Sequence, residues 1–550
     1  MKYKLLWALA LLLLVCGIAL YLTARYADRL VDPYVRSLLE QKKPMNHRID
    51  YRRIRVNLIS RLISIKDVRI YPDSSLVKGE NIWIEMSVGL IKLTDFGIKD
   101  MLLNKSLRIS DLIFLKPEVN LYLPLEVNAK TVDEVIADTA VMAKSPLLTH
   151  ISLDRIILSG GSFRLIRNDV ILASSEDISL MAREINLVKN SKDEPIGYTY
   201  GELKFVLSNI ALHSETGLYN MSLDKFSVNK LDSSIVLNGF RMKPKYDKKE
   251  FYTNLEFTTE RFDVEINRIE IGRIGFKRLI DGQPLQISKI QIDGLIADIY
   301  KNKNLPFNLN KFPLFYNESF LKISMPLQID TIDVINSSIL YNELAEGRTD
   351  VGLIRLDEFN GQSFNLTNNP GADSIENVMK FNIQAMVMGE GPMNVELVMP
   401  LEGNLRRLEC SGSVGAMQLS PLNAMLEPSI NIKFNAGKVN RMTFSFTGDD
   451  NTSKGWMEFL YNDVDVVLLK KDPGKEWGFV SLLANKMTHS NNPPPGKTDY
   501  KSVEIGCERD KNKGMINFVW RTIQSGMIRT ILPVSKYEIN RRQKQDRKAK

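Results

Sequence analysis

Residues 381–399 read FNIQAMVMGEGPMNVELVM, and no other part of the chain shows its secondary structure so clearly. Apolar side chains alternate with polar ones on both sides of Gly389-Glu-Gly-Pro, a run typical of a turn. Alternation with a period of two gives each strand one apolar side. The stretch therefore predicts an antiparallel hairpin. Its apolar side carries Phe381, Ile383, Ala385 and Val387, then Met393, Val395, Leu397 and Met399.

The same alternation recurs along most of the chain, and a weaker repeat overlies it. Alternating runs broken by polar residues or glycine begin near residues 107, 151, 287 and 329. Repetition of one strand–turn–strand unit predicts a sheet that grows by stacking. We expect a mainly β fold, an elongated and curved antiparallel sheet that forms a groove with one apolar side. The residues expected to line this groove are Phe381, Ile383, Val387, Val395, Leu397, Ile432, Phe434, Phe444 and Phe446.

The N-terminal segment has the character of a membrane anchor. Residues 5–22 carry no charge and follow Lys2 and Lys4; as a helix they would span roughly 27 Å. Ala24 and Ala27 have the wrong spacing for a signal-peptidase site, which favours an uncleaved anchor. The flanking lysines favour a cytoplasmic N-terminus and a body outside the cytoplasm. The residues taken to represent the anchor are Leu5, Leu11, Leu14, Ile18 and Leu22.

A few helical segments interrupt the predicted sheet. Residues 515–532 form the longest of these, with a broad apolar stripe that predicts either contact with a membrane or a cap on the groove; a plainly packed helix is the alternative. Residues 479–487 form a shorter and weaker helical pattern. The stripe includes Ile516, Trp520, Ile523 and Met527. The predicted organisation is an anchor (1–26), a juxtamembrane helical segment (27–47), a repetitive β body (48–410) with a helical insertion near 131–145, a C-terminal β module (411–514), and an amphipathic helix with a basic tail (515–550).

Composition and motifs give no sign of catalysis. The 550 residues are 44% hydrophobic and 25% charged, which allows a packed core. The net charge of +8 is widely spread, and its basic C-terminal cluster is typical of a solvated chain end, so no nucleic-acid partner is expected. The three cysteines and four histidines show no metal-ligand spacing, and no nucleophile elbow or phosphate loop occurs. We expect neither a cofactor nor a metal, and no enzymatic activity.

A family resemblance adds to this interpretation. Beside the anchor, residues 57–124 and the recurrent Ile-x-x-Ile-x-Ile-x-Ser/Gly-Gly-x-Phe/Ile units resemble the AsmA-like superfamily of envelope proteins. Residues 419–439 are similar to the C-terminal module of its relatives. The resemblance implies a single-pass protein of the inner membrane whose periplasmic body holds phospholipid acyl chains in a β-groove. It also implies a role in phospholipid transfer or outer-membrane homeostasis, and it supplies no catalytic residues.

Periodicity alone leaves other interpretations open. The apolar sides of the strands could pack on each other as a closed sandwich core instead of lining a groove. A membrane-tethered scaffold could bind other envelope proteins through exposed strand edges. An extracytoplasmic enzyme is motivated only by the size of the chain. A groove favours acyl chains, because each methylene moved out of water gains about 0.8 kcal/mol.

Overall fold

The computed structural model describes most of the chain after residue 46. The described residues are 32–33, 35–36, 47–72, 82–97, 106–123, 150–188, 197–199, 201–214, 216–253, 255–275, 283–369, 377–469 and 489–531. Among them, no helix combines the length and the apolar character that crossing a bilayer requires. The predicted anchor, residues 1–26, lies outside the described residues. The chain divides into two compact units, Met1–Glu215 with Met221–Leu237 and Thr216–Asn220 with Asn238–Lys550.

The first unit is built on a mixed β-sheet. Its strands are β1 (His47–Asp50), β2 (Arg53–Asn57), β3 (Leu62–Pro72), β4 (Trp83–Thr94), β5 (Ser106–Tyr122), β6 (His150–Arg167), β7 (Val170–Val188), β8 (Gly197–Thr199) and β9 (Leu203–His213). β1 and β2 both pair with β3, and antiparallel neighbours then follow in chain order to β5. β7 pairs with β6, β8 and β9. A cluster of buried side chains forms the core of this unit, namely Tyr51, Ile54, Val56, Val68, Val88, Ile91, Phe96, Ile109 and Leu153.

The second unit holds the predicted hairpin and the longest helix. Two strands, β10 (Tyr219–Asn229) and β11 (Ser234–Pro244), cross the division between the units. The strands that follow are β12 (Glu260–Ile274), β13 (Leu285–Asn302), β14 (Leu327–Leu344), β15 (Val351–Thr367), β16 (Val378–Val387), β17 (Gly391–Pro400), β18 (Leu408–Val414), β19 (Met417–Gln418), β20 (Ile432–Gly448), β21 (Ser453–Leu468) and β22 (Ser502–Ile505). Neighbours in chain order pair from β12 to β18. β20 pairs with β18, β19 and β21, and β21 pairs with β22.

The four repeat copies found in the sequence form two parallel pairs. β5 lies parallel to β6, with Leu107 opposite Ile151, and β13 lies parallel to β14, with Ile287 opposite Ile329. The expectation of a purely antiparallel sheet was therefore wrong at these two junctions. Alternation indicates which side of a strand is apolar, but it does not indicate whether the strand runs parallel or antiparallel to its neighbour. Parallel neighbours need a long crossover between them. Residues 303–326 provide that crossover in the second unit.

The hairpin of residues 381–399 is confirmed. β16 and β17 pair with Ile383 opposite Val395 and Phe381 opposite Leu397, so the predicted residues share one side. The turn begins one residue earlier than expected, because Met388 and Gly389 have φ angles of 54° and 74°. Both central residues of this turn adopt positive φ, as in the turns whose twist matches that of a hairpin.

The described helices are short except for the last one. They are α1 (Glu250–Thr253), α2 (Tyr316–Leu321), α3 (Asn423–Ile430) and α4 (Met515–Ile531). α4 confirms the helix predicted over residues 515–532. Within the predicted juxtamembrane segment 27–47, residues 32–33 and 35–36 are helical and residue 47 begins β1. The predicted helices near 131–145 and at 479–487, and the basic tail, lie outside the described residues.

Candidate functional site

One side of the sheet in the second unit carries two adjacent apolar rows from β12 to β17. Side chains that pair across neighbouring strands point to the same side of a sheet. One row contains Ile271, Ile290, Ile332, Ser363, Phe381 and Leu397. The next row contains Ile269, Ile292, Val334, Gly361, Ile383 and Val395. We call these two rows the apolar strip; only Ser363 and Gly361, both on β15, interrupt it.

The apolar strip remains partly open to solvent. Its isoleucine and valine side chains and Phe381 are half-buried, whereas Leu397 at the end of the strip is 8% exposed. Six strands at about 4.8 Å spacing give the strip a length of roughly 24 Å. It is therefore a continuous apolar surface that a hydrocarbon chain could contact.

Short helices bound the apolar strip at both ends of its strands. At one end lies α2, where the ring of Tyr316 is 6.1 Å from that of Phe381. The amide of Asn317 fixes α2 to the sheet by donating to the carbonyl oxygens of Pro400 and Leu405, at 2.6 and 2.8 Å. At the other end lies α3, which packs so closely on Gly352 that a Cβ there would overlap Met425.

Beyond β17 the same two rows are covered. Cys410 and Phe446 continue the first row and are 2% and 3% exposed; Phe444 and Met457 continue the second and are 5% and 1% exposed. α4 lies over this region, with Gly526 against Met457. Burial raises the pKa of the Cys410 thiol to about 12, so it stays neutral. The apolar side is thus open from β12 to β17 and forms an ordinary core from β18 onward.

The covering helix α4 packs through two large apolar residues in its first turn and four small or hydroxyl-bearing residues after them. Its buried residues are Met515, Phe518, Thr522, Ser525, Gly526 and Thr530. The hydroxyl oxygens of Thr522 and Ser453 are 2.6 Å apart, and Ser525 Oγ accepts a hydrogen bond from the Gly506 amide at 3.0 Å. These contacts satisfy the polar atoms that the interface buries.

The apolar stripe of α4 is turned partly outward. Ile516 is 71% exposed and Trp520 is 47% exposed, whereas Ile523 and Met527 are half-buried. A packed helix ordinarily buries its apolar stripe and exposes its small polar residues. α4 departs from this arrangement, because its first turns bury Met515 and Phe518 but also present the large apolar side chains of Ile516 and Trp520 to their surroundings.

A charged cluster fixes the segment before α4 to the crossover that carries α2. Asp450 forms ion pairs with Arg406 at 3.0 Å, with Lys511 at 3.1 Å, and with Arg509. The Arg509 side chain is 4% exposed and lies 4.5 Å from the centre of the Phe315 ring. Burial raises the pKa of Asp450, but the bonds and charges of Lys511 and Arg406 outweigh it and hold this pKa below its ordinary 3.8.

The predicted groove residues divide between the open and the covered regions. Phe381, Ile383, Val395 and Ile432 are half-buried. The other five are buried, namely Val387, Leu397, Phe434, Phe444 and Phe446. Sequence reasoning missed the isoleucines and valines of β12–β14, although their alternation was visible. The anchor residues Leu5, Leu11, Leu14, Ile18 and Leu22 lie outside the described residues.

Titratable residues form no metal-binding cluster in the ranges that the structure describes. No group of three or more His, Cys, Asp or Glu side chains there could hold a metal ion. His489 contacts Lys501, and burial together with this cation lowers the pKa of His489. Such surroundings favour a neutral, structural imidazole.

Comparison with known proteins adds no assignment. No protein-family model and no curated protein sequence matches the chain.

Proposed function

We propose that this is a membrane-anchored envelope protein that binds phospholipid by its acyl chains along the apolar strip, and that it thereby supports outer-membrane biogenesis or lipid homeostasis. The observation that carries the proposal is the strip itself, in which half-buried isoleucine and valine side chains line five of six paired strands and only Ser363 and Gly361 on β15 interrupt them. An extended apolar surface of this kind usually marks a binding site.

The dimensions of the apolar strip suit an acyl chain. About four methylene groups span one strand spacing of about 4.8 Å, so a chain laid across the strands gains about 3 kcal/mol per strand crossed. A sixteen-carbon chain covers about four strand spacings and fits within the strip. The headgroup stays in water at the margin, which avoids the cost of burying its charge.

The outward stripe of α4 supports contact with a membrane surface. The segment just before α4 is hydrogen-bonded to the crossover loop, because the side-chain amide of Asn512 donates to the carbonyl oxygen of Leu309 at 2.7 Å. Ile516 and Trp520 follow Asn512 closely in sequence. In that loop Leu309 and Phe312 are 70% and 64% exposed. Apolar side chains of this exposure, beside Lys311, Lys511 and Lys513, suit an anionic lipid surface.

The test is native mass spectrometry of the full-length protein extracted from membranes in mild detergent. Phospholipid should remain bound, and washing with excess detergent should remove it, which lowers the melting temperature but leaves a cooperative unfolding transition. A lipid-free protein, or one that binds no phospholipid from added vesicles, would refute lipid binding and leave a tethered scaffold as the better description.

A further inference from the structure

The side of the sheet opposite the apolar strip carries an unusual set of polar residues, of which all but Glu396 are uncharged. Two rows cross β15–β18 there, one with Gln362, Asn382, Glu396 and Ser411 and the other with Asn360, Gln384, Asn394 and Ser413. Asparagine is depleted in strands, so three asparagines in adjoining strands are unlike an ordinary solvated side. We call these two rows the amide surface.

The amide surface surrounds a depression and has unused hydrogen-bonding capacity. The depression has a volume of about 510 Å³, within the range of small-ligand sites. Asn382 lines it, and the Oδ1 atom of Asn382 is shielded from solvent and has no hydrogen-bond partner among the described residues. Within the described ranges, the side chains of Gln384, Asn394 and Ser413 also form no hydrogen bonds. A ligand with several donors and acceptors would satisfy these groups.

Charges at the amide surface are balanced within the protein. Glu396 pairs with Lys380 at 2.7 Å, and Asp333, beside Gln362, pairs with Lys289 at 2.8 Å. An anion such as a phosphate would find no free cation among these side chains. The surface therefore suits an uncharged ligand rich in hydroxyl or amide groups.

An exposed tryptophan continues the same row. Ser411 pairs with Ser445 and Ser445 pairs with Trp456, which places Trp456 two strands from the depression, roughly 10 Å away. Trp456 is 61% exposed, and the apolar face of a sugar ring stacks well on such a ring. One unit of a 1,4-linked sugar chain advances by about the spacing of neighbouring strands, about 4.8 Å.

We propose that the amide surface binds an uncharged oligosaccharide that runs across the strands, with one sugar stacked on Trp456 and units three and four strands further along hydrogen-bonded to Asn394 on β17 and to Asn382 and Gln384 on β16. This site lies on the side of the sheet opposite the apolar strip. Its occupancy does not depend on lipid binding.

The test is isothermal titration of the full-length protein with chitohexaose, cellohexaose and maltohexaose. A polyoxyethylene detergent is required, because a maltoside detergent would itself present sugar to the site. We expect one of the three to bind with a dissociation constant below about 1 mM. Trp456→Ala and Asn394→Ala should each weaken this binding about tenfold or more.

Trp520→Ala is the matched control, because it removes a similarly exposed tryptophan from α4. It should leave the sugar affinity unchanged, and equal melting temperatures of all variants show that the fold is intact. Absence of saturable binding of all three sugars, or equal affinity in Trp456→Ala and the unmodified protein, overturns the proposal. Phospholipid binding should be the same in Trp456→Ala and Asn394→Ala as in the unmodified protein, which separates this result from that of the lipid experiment.

Discussion

Replacing Ile383 by aspartate should abolish lipid binding while the protein stays folded. Ile383 lies in the middle of the apolar strip and is half-buried, so an aspartate there keeps contact with water. We expect the substitution to cost about 1 kcal/mol of unfolding free energy, since only part of a buried isoleucine's contribution is lost. Gln384→Asp introduces the same charge one residue away on the opposite side of the sheet, and it is the matched control.

The loss of lipid affinity can be estimated from the strand spacing. A carboxylate at position 383 prevents an acyl chain from crossing β16, and each strand crossed is worth about 3 kcal/mol. Losing this contribution at one strand weakens binding about 100-fold.

Phe446→Ala, within the core under α4, should destabilise the protein without affecting lipid binding. Loss of the buried phenyl ring should lower the free energy of unfolding by about 3–5 kcal/mol and leave the open strip unchanged.

The measurement combines lipid counting by native mass spectrometry with thermal unfolding of the same samples. We expect the Ile383→Asp protein to be folded and depleted of lipid, and the Gln384→Asp protein to retain its lipid. If Ile383→Asp instead loses its cooperative unfolding transition, the strip is an ordinary core. If it retains as much phospholipid as Gln384→Asp, acyl chains do not occupy the strip.

Three further substitutions test the covering helix and the charged cluster. Trp520→Glu should reduce about tenfold the clustering of anionic acceptor vesicles by proteoliposomes that carry the protein, and unchanged clustering would contradict membrane contact by α4. Gly526→Val should lower stability by about 1–3 kcal/mol, because a side chain there overlaps Met457, whereas Gly514→Ala in open space should not. Asp450→Asn should cost about 3 kcal/mol at pH 7 in chemical denaturation by leaving Arg509 unpaired. Because folding lowers the pKa of Asp450, this difference should persist above pH 4 and shrink as the pH falls through the folded-state pKa; a pH-independent difference would exclude the ion pairs as its cause.

Side-chain alternation predicted the strands well but not their direction. The hairpin of β16 and β17 was visible because both strands are local and the turn contains glycine. The parallel pairing of β13 with β14 was not predictable, because a crossover of helix and loop separates strands that look alike. The alternation of apolar and polar residues within a strand is the same whether its partner is local or distant in sequence.

The covered and open parts of the apolar side could not be distinguished from sequence. Phe444 and Ile383 have the same alternating context, yet only Phe444 lies under a helix. The sequence also did not indicate which face of α4 packs on the sheet, because its large apolar residues suggested a buried stripe. Thr522 and Gly526 pack on the sheet instead, because the close approach of the helix and the hydroxyl hydrogen bonds stabilise this interface more than larger apolar side chains would.

The two parallel junctions have a consequence for how such a protein can change in size. Each junction is flanked by antiparallel neighbours, in the order β4 to β7 and again in the order β12 to β15. A block of four strands with this arrangement can be duplicated or deleted as a whole, and every hydrogen bond inside the remaining blocks is preserved. The number of blocks, rather than the chemistry of any one strand, then sets how far the sheet reaches.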